Sequence, residues 1–374
     1  MMRIYKNIIF CLILIVYTGL EIMGQQNNQW EIFRGDPSLS GYTRARIPEN
    51  PSILWNFQTD DAITAAPIVA DGKIFAGNSA GILYALDMKG ELLWQFETDN
   101  TIEAPVLYYD GIIYCGNLSG YLYALNADTG SLIWKYETEN QISGSPNHFE
   151  FNNKHFIIVG SYDFYLHCVD AKIGQLVWKY ESDNFVNGAA AVGNNVALFG
   201  GCDGYLHEVD LGTGKVKDKI EVATYVAGSV AISDNLVYTG DYDGQFTCID
   251  IKEGEILWQW KNPDNSLPFL GSPSIYKDKV VIGSQDKRLY CFNGSDGKLL
   301  WSYNAGGRID ASPVIVRDQV LIATMDGMLY LVDLNNGQET WSYEIGSAIT
   351  HNPAVINGYI ILGARDGNIY CLGK

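Results

Sequence analysis

Residues 120–134 read GYLYALNADTGSLIW, and the fold follows from this stretch. YLYALN has the alternation of a half-buried strand. ADTG is a turn in which Asp128 can bond neighbouring backbone N–H groups and Gly130 can take a positive φ, and SLIW begins a return strand, so the stretch is one hairpin. Related hairpins begin at Gly81, Phe164, Gly204, Gly244, Lys287 and Gly327, and an eighth, from Gly367, stops before its turn.

A tryptophan marks each return strand. Trp55, Trp94, Trp134, Trp178, Trp258, Trp301 and Trp341 hold this slot, with Asp218 in the remaining place, and successive slots lie 39 to 44 residues apart. A period of about 40 to 45 residues with several short strands per unit is the signature of propeller blades. The predicted fold is all-β, a single eight-bladed β-propeller of four-stranded antiparallel blades over residues 51–374. The strand around Trp55 has no hairpin partner before it, and the final GNIYCLGK lacks a return strand, so the N-terminal strand is expected to join the C-terminal blade and close the ring. Residues 25–50 match no repeat and are expected to form an irregular lead-in tied down by Trp30 and Phe33.

The tryptophans are expected to face inward on the outermost strands and cover the seams between blades, a structural role. The first 24 residues place Arg3 and Lys6 before an apolar run and small residues near Gly24, which reads as a cleaved signal peptide. Cys11 lies inside that run without the small residues of an acylation site. The protein is thus expected to be exported, periplasmic or associated with an outer membrane, without a transmembrane span, and monomeric. A formal net charge of −18 repels nucleic acid and anionic membrane surfaces, and serves solubility or favours a basic patch on a partner. Cys168, Cys248, Cys291 and Cys371 share the repeat slot of Ala85 and Ala124, and read as free core thiols, because equivalent positions on neighbouring blades are too far apart to bridge.

The unit Ala124, Asn126, Thr129, Gly130, Trp134 resembles the PQQ-like repeat, with Asn for its usual Asp, and the resemblance covers about residues 50 to 374. It implies an eight-bladed propeller with two functional branches. One comprises quinoprotein dehydrogenases, which carry a vicinal disulfide over the quinone and a calcium site beside a catalytic Asp. The other comprises the non-enzymatic outer-membrane assembly factor BamB and its relatives. No two cysteines are adjacent here, so the resemblance implies the second branch, with no cofactor.

In this topology the loops leading into the inner strands share one face with the turns between second and third strands. The first set supplies Asp61, Thr64, Glu103, Ser143, Asn187, Arg308, Asp310, Thr350 and His351 around the central opening; the second supplies aspartates such as Asp163, Asp203, Asp241 and Asp286, together with Arg365. Glu103 and Asp310 replace small or hydroxylic residues and are candidates for a polar ligand or cation, the alternative being carboxylates that merely face water. Asp-Gly turns need no function beyond the turn. Asp241-Tyr-Asp243-Gly lacks a full set of calcium ligands. The five histidines have no metal spacing, and His167 and His207, at one repeat slot, are expected to pack. The loop 261–270 is longer and more apolar than its equivalents, and Leu267, Phe269 and Leu270 are expected either to project near the mouth as anchors or to plug the channel. The expected function is a non-enzymatic exported scaffold binding a protein or peptide partner through its loop-rich face. The alternatives are a quinone- or metal-dependent oxidoreductase and a carbohydrate-binding propeller that uses exposed tyrosines and Trp260.

Overall fold

The computed structural model describes residues 28–222 and 224–374; the leader and Cys11 lie outside the described residues. The quoted hairpin forms as its pattern asks: Tyr121–Asn126 pairs antiparallel with Leu132–Glu137, Ala124 lies opposite Trp134, and a bulge between Leu132 and Trp134 adds local twist. Leu107–Tyr109 and Ile112–Gly116 complete a four-stranded sheet. The third strand is buried on both faces because a neighbouring blade covers each, whereas the outermost strand alternates between exposed and half-buried positions.

Eight such sheets make the ring. Blades 1 to 8 span residues 68–97, 107–137, 147–181, 191–221, 231–261, 274–304, 314–344 and 354–373. Two further strands come from the N-terminal side, β1 (Tyr42–Thr43) and β2 (Ser52–Gln58). β2 pairs antiparallel with Asn368–Gly373, placing Trp55 opposite Cys371, so the first strand of the repeat region completes blade 8 and closes the ring. Blade 7 departs from four strands, because β1 adds in parallel to its inner edge. Among the described residues no helix is long and apolar enough to cross a membrane.

Each seam is made by the motif that marked the repeat. The indole N–H of Trp94 donates to the Ala127 carbonyl at 3.0 Å, and Trp134 to Ala171 at 3.0 Å, in each case in the turn of the next blade. Trp55, Trp178, Trp258 and Trp301 do the same to Met88, Leu211, Gly294 and Leu334. The turn lies flat on the indole: a Cβ at Gly130, where φ is +69, would sit 2.7 Å from the Trp94 ring. Asp218, in the slot that lacks an indole, faces Gly254 instead. Trp341 is buried in the core cluster against which Ile47 of the lead-in packs. The cysteines of the described chain are free, and burial pushes the Cys248, Cys291 and Cys371 thiols up to about 12, as expected of core thiols.

The lead-in is irregular but far from loose. Its backbone runs inside the ring along the inner edges of the blades and bonds to each in turn. Trp30 exchanges backbone bonds with Val69 of blade 1, Glu31 accepts from Tyr108 of blade 2, Pro37 from the Asn147 side chain of blade 3 and Val192 of blade 4, and Ser38 from Ile232 of blade 5. Ser40 accepts from Ile275 of blade 6, Gly41 from Ile315 of blade 7 and Arg46 from Gly358 of blade 8. Inner-edge N–H groups that would otherwise lack partners are thereby satisfied. Arg34 is fully buried at the centre and donates to the Pro313 carbonyl at 2.6 Å and the Pro273 carbonyl at 2.7 Å. Burial pulls its guanidinium down to about 9, against the opposing pull of Asp36.

Candidate functional site

Each blade begins with a mouth loop that delivers four residues in a constant order, as in Ile309-Asp310-Ala311-Ser312. The first residue docks the blade. Ile309 packs so closely on blade 6 that a Cβ at Gly283 would lie 2.2 Å from its Cγ2, and Ile102, Ile142, Val186 and Val226 meet Gly77, Gly116, Gly160 and Gly200 in the same way. The second residue rings the mouth: Glu103, Ser143, Asn187, Leu270, Asp310 and Thr350 all line one central cavity. The third is small where neighbouring loops come close, since a Cβ at Gly144 would approach the Gly188 carbonyl oxygen to 2.5 Å.

The fourth residue builds a girdle. The Ala189 N–H donates to Ser229 Oγ at 2.9 Å, the Ser229 N–H to Ser272 Oγ at 3.0 Å, and the Ser272 N–H to Ser312 Oγ at 2.9 Å, linking blades 4 to 7. In blade 8 the third and fourth positions hold His351 and Asn352, the largest departures from this pattern. Asn352 is 1% exposed and lines the cavity, yet its Oδ1 has no hydrogen-bond partner; Asn187 Oδ1, from blade 4 across the ring, is likewise buried without one. Buried acceptors of this kind call for an explanation, and a ligand's N–H group is one.

The cavity holds about 420 Å³, with Phe33 of the lead-in reaching it from within the ring. Arg308 lies 3.3 Å from Asp310, which also accepts from Gln285 at 3.2 Å. Burial, with the Arg365 charge adding to it, pushes His351 down to about 4, so it is neutral near pH 7, and its Nδ1 lies 2.9 Å from the Thr350 hydroxyl. Blades 7 and 8 thus present Arg308 and Arg365, and Glu103 stands on blade 2. The mouth is polar, of mixed charge, and rich in hydrogen-bonding groups.

Several expected positions are corrected. Phe269 does not project: it is 1% exposed and fills the docking slot of blade 6, its Cβ 2.4 Å from where a Gly240 Cβ would be, with Phe246 and Tyr290 around it. The longer loop bulges before that slot without moving it, so Leu267 is 39% exposed, Leu270 faces the cavity, and the channel is not plugged by the loop. Asp61 and Thr64 are not among the residues lining the cavity. Trp260 packs against Tyr290 and Phe292, at ring distances of 4.8 and 5.0 Å, and is half-buried, with its remaining surface on a cavity shared with Asn262, Asp286 and Arg288.

The turn aspartates are engaged by their own turns, as Asp241 is by the Asp243 and Gln245 N–H groups, or by neighbouring side chains. His167 Nε2 lies 2.9 Å from Asp163 and its Nδ1 2.9 Å from the Tyr136 hydroxyl; His207 repeats this with Asp203 and Tyr180. Tyr123 and Tyr290 hold the same slot in other blades, and Tyr290 likewise meets the aspartate four residues before it, Asp286, so each His-Asp pair is a packing contact within its blade and the tyrosine bond to the histidine is what crosses the seam. Burial raises the Asp163 carboxyl, and the His167 hydrogen bond and charge more than offset it, leaving the group below its ordinary range. Among the described residues no three His, Cys, Asp or Glu side chains gather to hold a metal ion.

The dehydrogenase branch implies a quinone and calcium in the channel. The flat side chains lining this cavity are Phe33 and His351, the cysteines are free and mostly buried in their sheets, and Asp310 is engaged by Arg308 and Gln285. These residues do not fit that pair of groups.

Residues 48–145, 79–225 and 162–374 each match the family model described as outer membrane protein assembly factor BamB. No curated protein matches the sequence. Among solved structures, BamB from Moraxella catarrhalis is 22% identical with a TM-score of 0.74, over 87% of this chain and 98% of that one. A europium-containing methanol dehydrogenase is 14% identical with a TM-score of 0.79, over 96% of this chain and 100% of that one. The quinohemoprotein alcohol dehydrogenase from Comamonas testosteroni is also 14% identical, with a TM-score of 0.78, over 94% and 81%. At such identities the likeness is one of fold.

Proposed function

Because the chain belongs to the family of the outer membrane protein assembly factor BamB, we propose that it is an exported, non-enzymatic scaffold of the cell envelope that binds a protein or peptide at the channel mouth. The observation that carries this reading is the pair of buried amide oxygens, Asn187 Oδ1 and Asn352 Oδ1, left without partners at the cavity. A peptide offers N–H donors along its backbone to meet them. Glu103, Leu270, Arg308 and His351 around them offer charge and apolar contact for side chains, and Leu267 extends that surface outward. The misfit of the cavity to a quinone supports the same reading.

The test is recovery of partners from an envelope fraction with wild-type protein and with Asn352→Ala, Asn187→Ala and Glu103→Ala. Asn352→Ala removes an unsatisfied group, so the free protein is expected to unfold at the same temperature or higher, while recovery of the partner drops about tenfold, as the loss of one buried hydrogen bond to a ligand implies. Equal recovery with all three variants would remove the mouth as the binding face.

A further inference from the structure

On the face away from the mouth, the first hairpin of blades 1 to 5 turns on Asp71, Asp110, Asn152, Asn194 and Asp234, with φ between +48 and +54. Short polar side chains are the non-glycine residues that tolerate this left-handed region best. Blades 6 and 7 use Lys277, φ +57, and Arg317, φ +60. Turn chemistry gives no reason for a long cation at either place, and an outlier of this kind points to another task.

Both turns border one cavity of about 530 Å³, which also takes in Arg44 from the lead-in and Lys279 from the second strand of blade 6. Four cations therefore converge from three separate segments of a chain whose net charge is −18. The Arg317 Nε donates to the Arg44 carbonyl at 3.1 Å, which ties two of the segments together at the site. Tyr42 and Tyr276 stack with ring centroids 4.1 Å apart and form a wall, with the Lys277 ammonium 4.9 Å from the Tyr276 ring centre. Asp278 and Asp318 also border the cavity, but among the described residues the one ion pair here is Lys279 with Asp278, at 3.9 Å, and Asp278 is 66% exposed. So exposed and distant a carboxylate neutralises little.

We propose that this pocket between blades 6 and 7 is a binding site for a doubly charged oxyanion, a phosphate or sulfate group, held by Arg44, Lys277, Lys279 and Arg317. Two guanidinium forks can each offer paired N–H donors to such an anion, and the two ammonium groups add point charges without a fixed geometry. The site lies on the opposite face from the mouth and does not depend on what the mouth binds.

Calorimetric titration of the full chain with inorganic phosphate and with sulfate, at constant ionic strength, tests it, alongside Lys277→Asn and Arg317→Asn. Asparagine suits the turn better than either cation, so both variants are expected to fold with an unchanged or higher unfolding temperature. One anion is expected to bind per chain, at least tenfold more weakly in each variant. Two further arms locate the source of the group. Tighter binding of glucose 6-phosphate than of inorganic phosphate assigns it to a soluble ester, and co-sedimentation with phosphatidylglycerol vesicles that both variants abolish assigns it to a lipid headgroup; either supports the site. Absence of phosphate and sulfate binding to the wild-type chain, or equal affinity in the wild type and both variants, would overturn it.

Discussion

Phe269 shows how much one position can carry. It sits where other blades place isoleucine or valine, against Gly240 as they sit against their own glycines, and its larger ring is met by Phe246 and Tyr290. Phe269→Ala is expected to cost about 3 to 5 kcal/mol in urea unfolding, the usual range for a buried phenylalanine, whereas Leu267→Ala, on the exposed part of the same loop, is expected to change stability by under about 0.5 kcal/mol. Similar losses for the two would contradict the placement of Phe269. The slot was readable: Phe269-Leu-Gly-Ser272 aligns with Ile309-Asp-Ala-Ser312. The extra residues of Ser266-Leu-Pro268 draw attention to the loop as a loop, and its apolar run then looks like an exposed anchor. The orphaned Asn352 Oδ1 could not be read at all, because satisfaction of a polar atom depends on distances that only the closed ring defines.

Two histidines give the molecule a pH dependence of known sign. His148 is pushed down to about 4 by burial, with the His155 charge adding, and His351 to about 4 by burial and Arg365. In the unfolded chain both titrate near about 6.5. Between those values the unfolded state binds protons that the folded state does not, so stability is full above about pH 6.5 and falls as the pH drops towards 4. Urea unfolding at a series of pH values is expected to show that slope, and His148→Gln with His351→Gln to flatten it; an unchanged slope in the double variant would contradict the assignment.

At the scale of elements, the tryptophan and turn glycine of adjacent blades form one unit; the repeat spacing marked the tryptophan as the seam residue, because a repeat must present the same contact to each neighbour, and the closed ring shows the glycine on which it lies. Trp134→Ala is expected to cost about 3 to 5 kcal/mol. Asp218→Ala, at the slot without an indole, is expected to cost far less, and equal losses in thermal unfolding would contradict the seam's account. The lead-in was legible only in part. Its glycines and prolines announce irregular backbone, and Trp30 announces burial, but the bonds that carry it past all eight blades are made chiefly by main-chain carbonyls, which leave no side-chain signature. Arg34, within that lead-in, is wholly buried and donates to two carbonyls from blades 6 and 7. Arg34→Ala is expected to lower stability by about 2 to 4 kcal/mol, since it leaves the Pro273 carbonyl buried without its donor and the Pro313 carbonyl with the Ser274 hydroxyl alone; a loss below about 0.5 kcal/mol would show that the lead-in does not hold the ring.

For the whole molecule, closure by β2 and the internal course of the lead-in leave two faces of different character. The mouth gathers second-position residues from blades 2 to 8, a ring that the repeat alignment could forecast because Glu103, Asn187 and Asp310 hold equivalent places. The far face gathers Arg44, Lys277, Lys279 and Arg317, which no local pattern connects and which only the topology brings together. The central claim is that the mouth is the face that meets a protein or peptide in the envelope. Site-specific photo-crosslinking in living cells tests it most directly, with the probe placed at Glu103 or Leu267 on the mouth, or at Lys172 or Thr340 on exposed positions elsewhere. The account expects the same discrete protein adduct from both mouth positions and none from the other two; adducts of equal yield at Lys172 and Thr340, or none at Glu103 and Leu267, would contradict it.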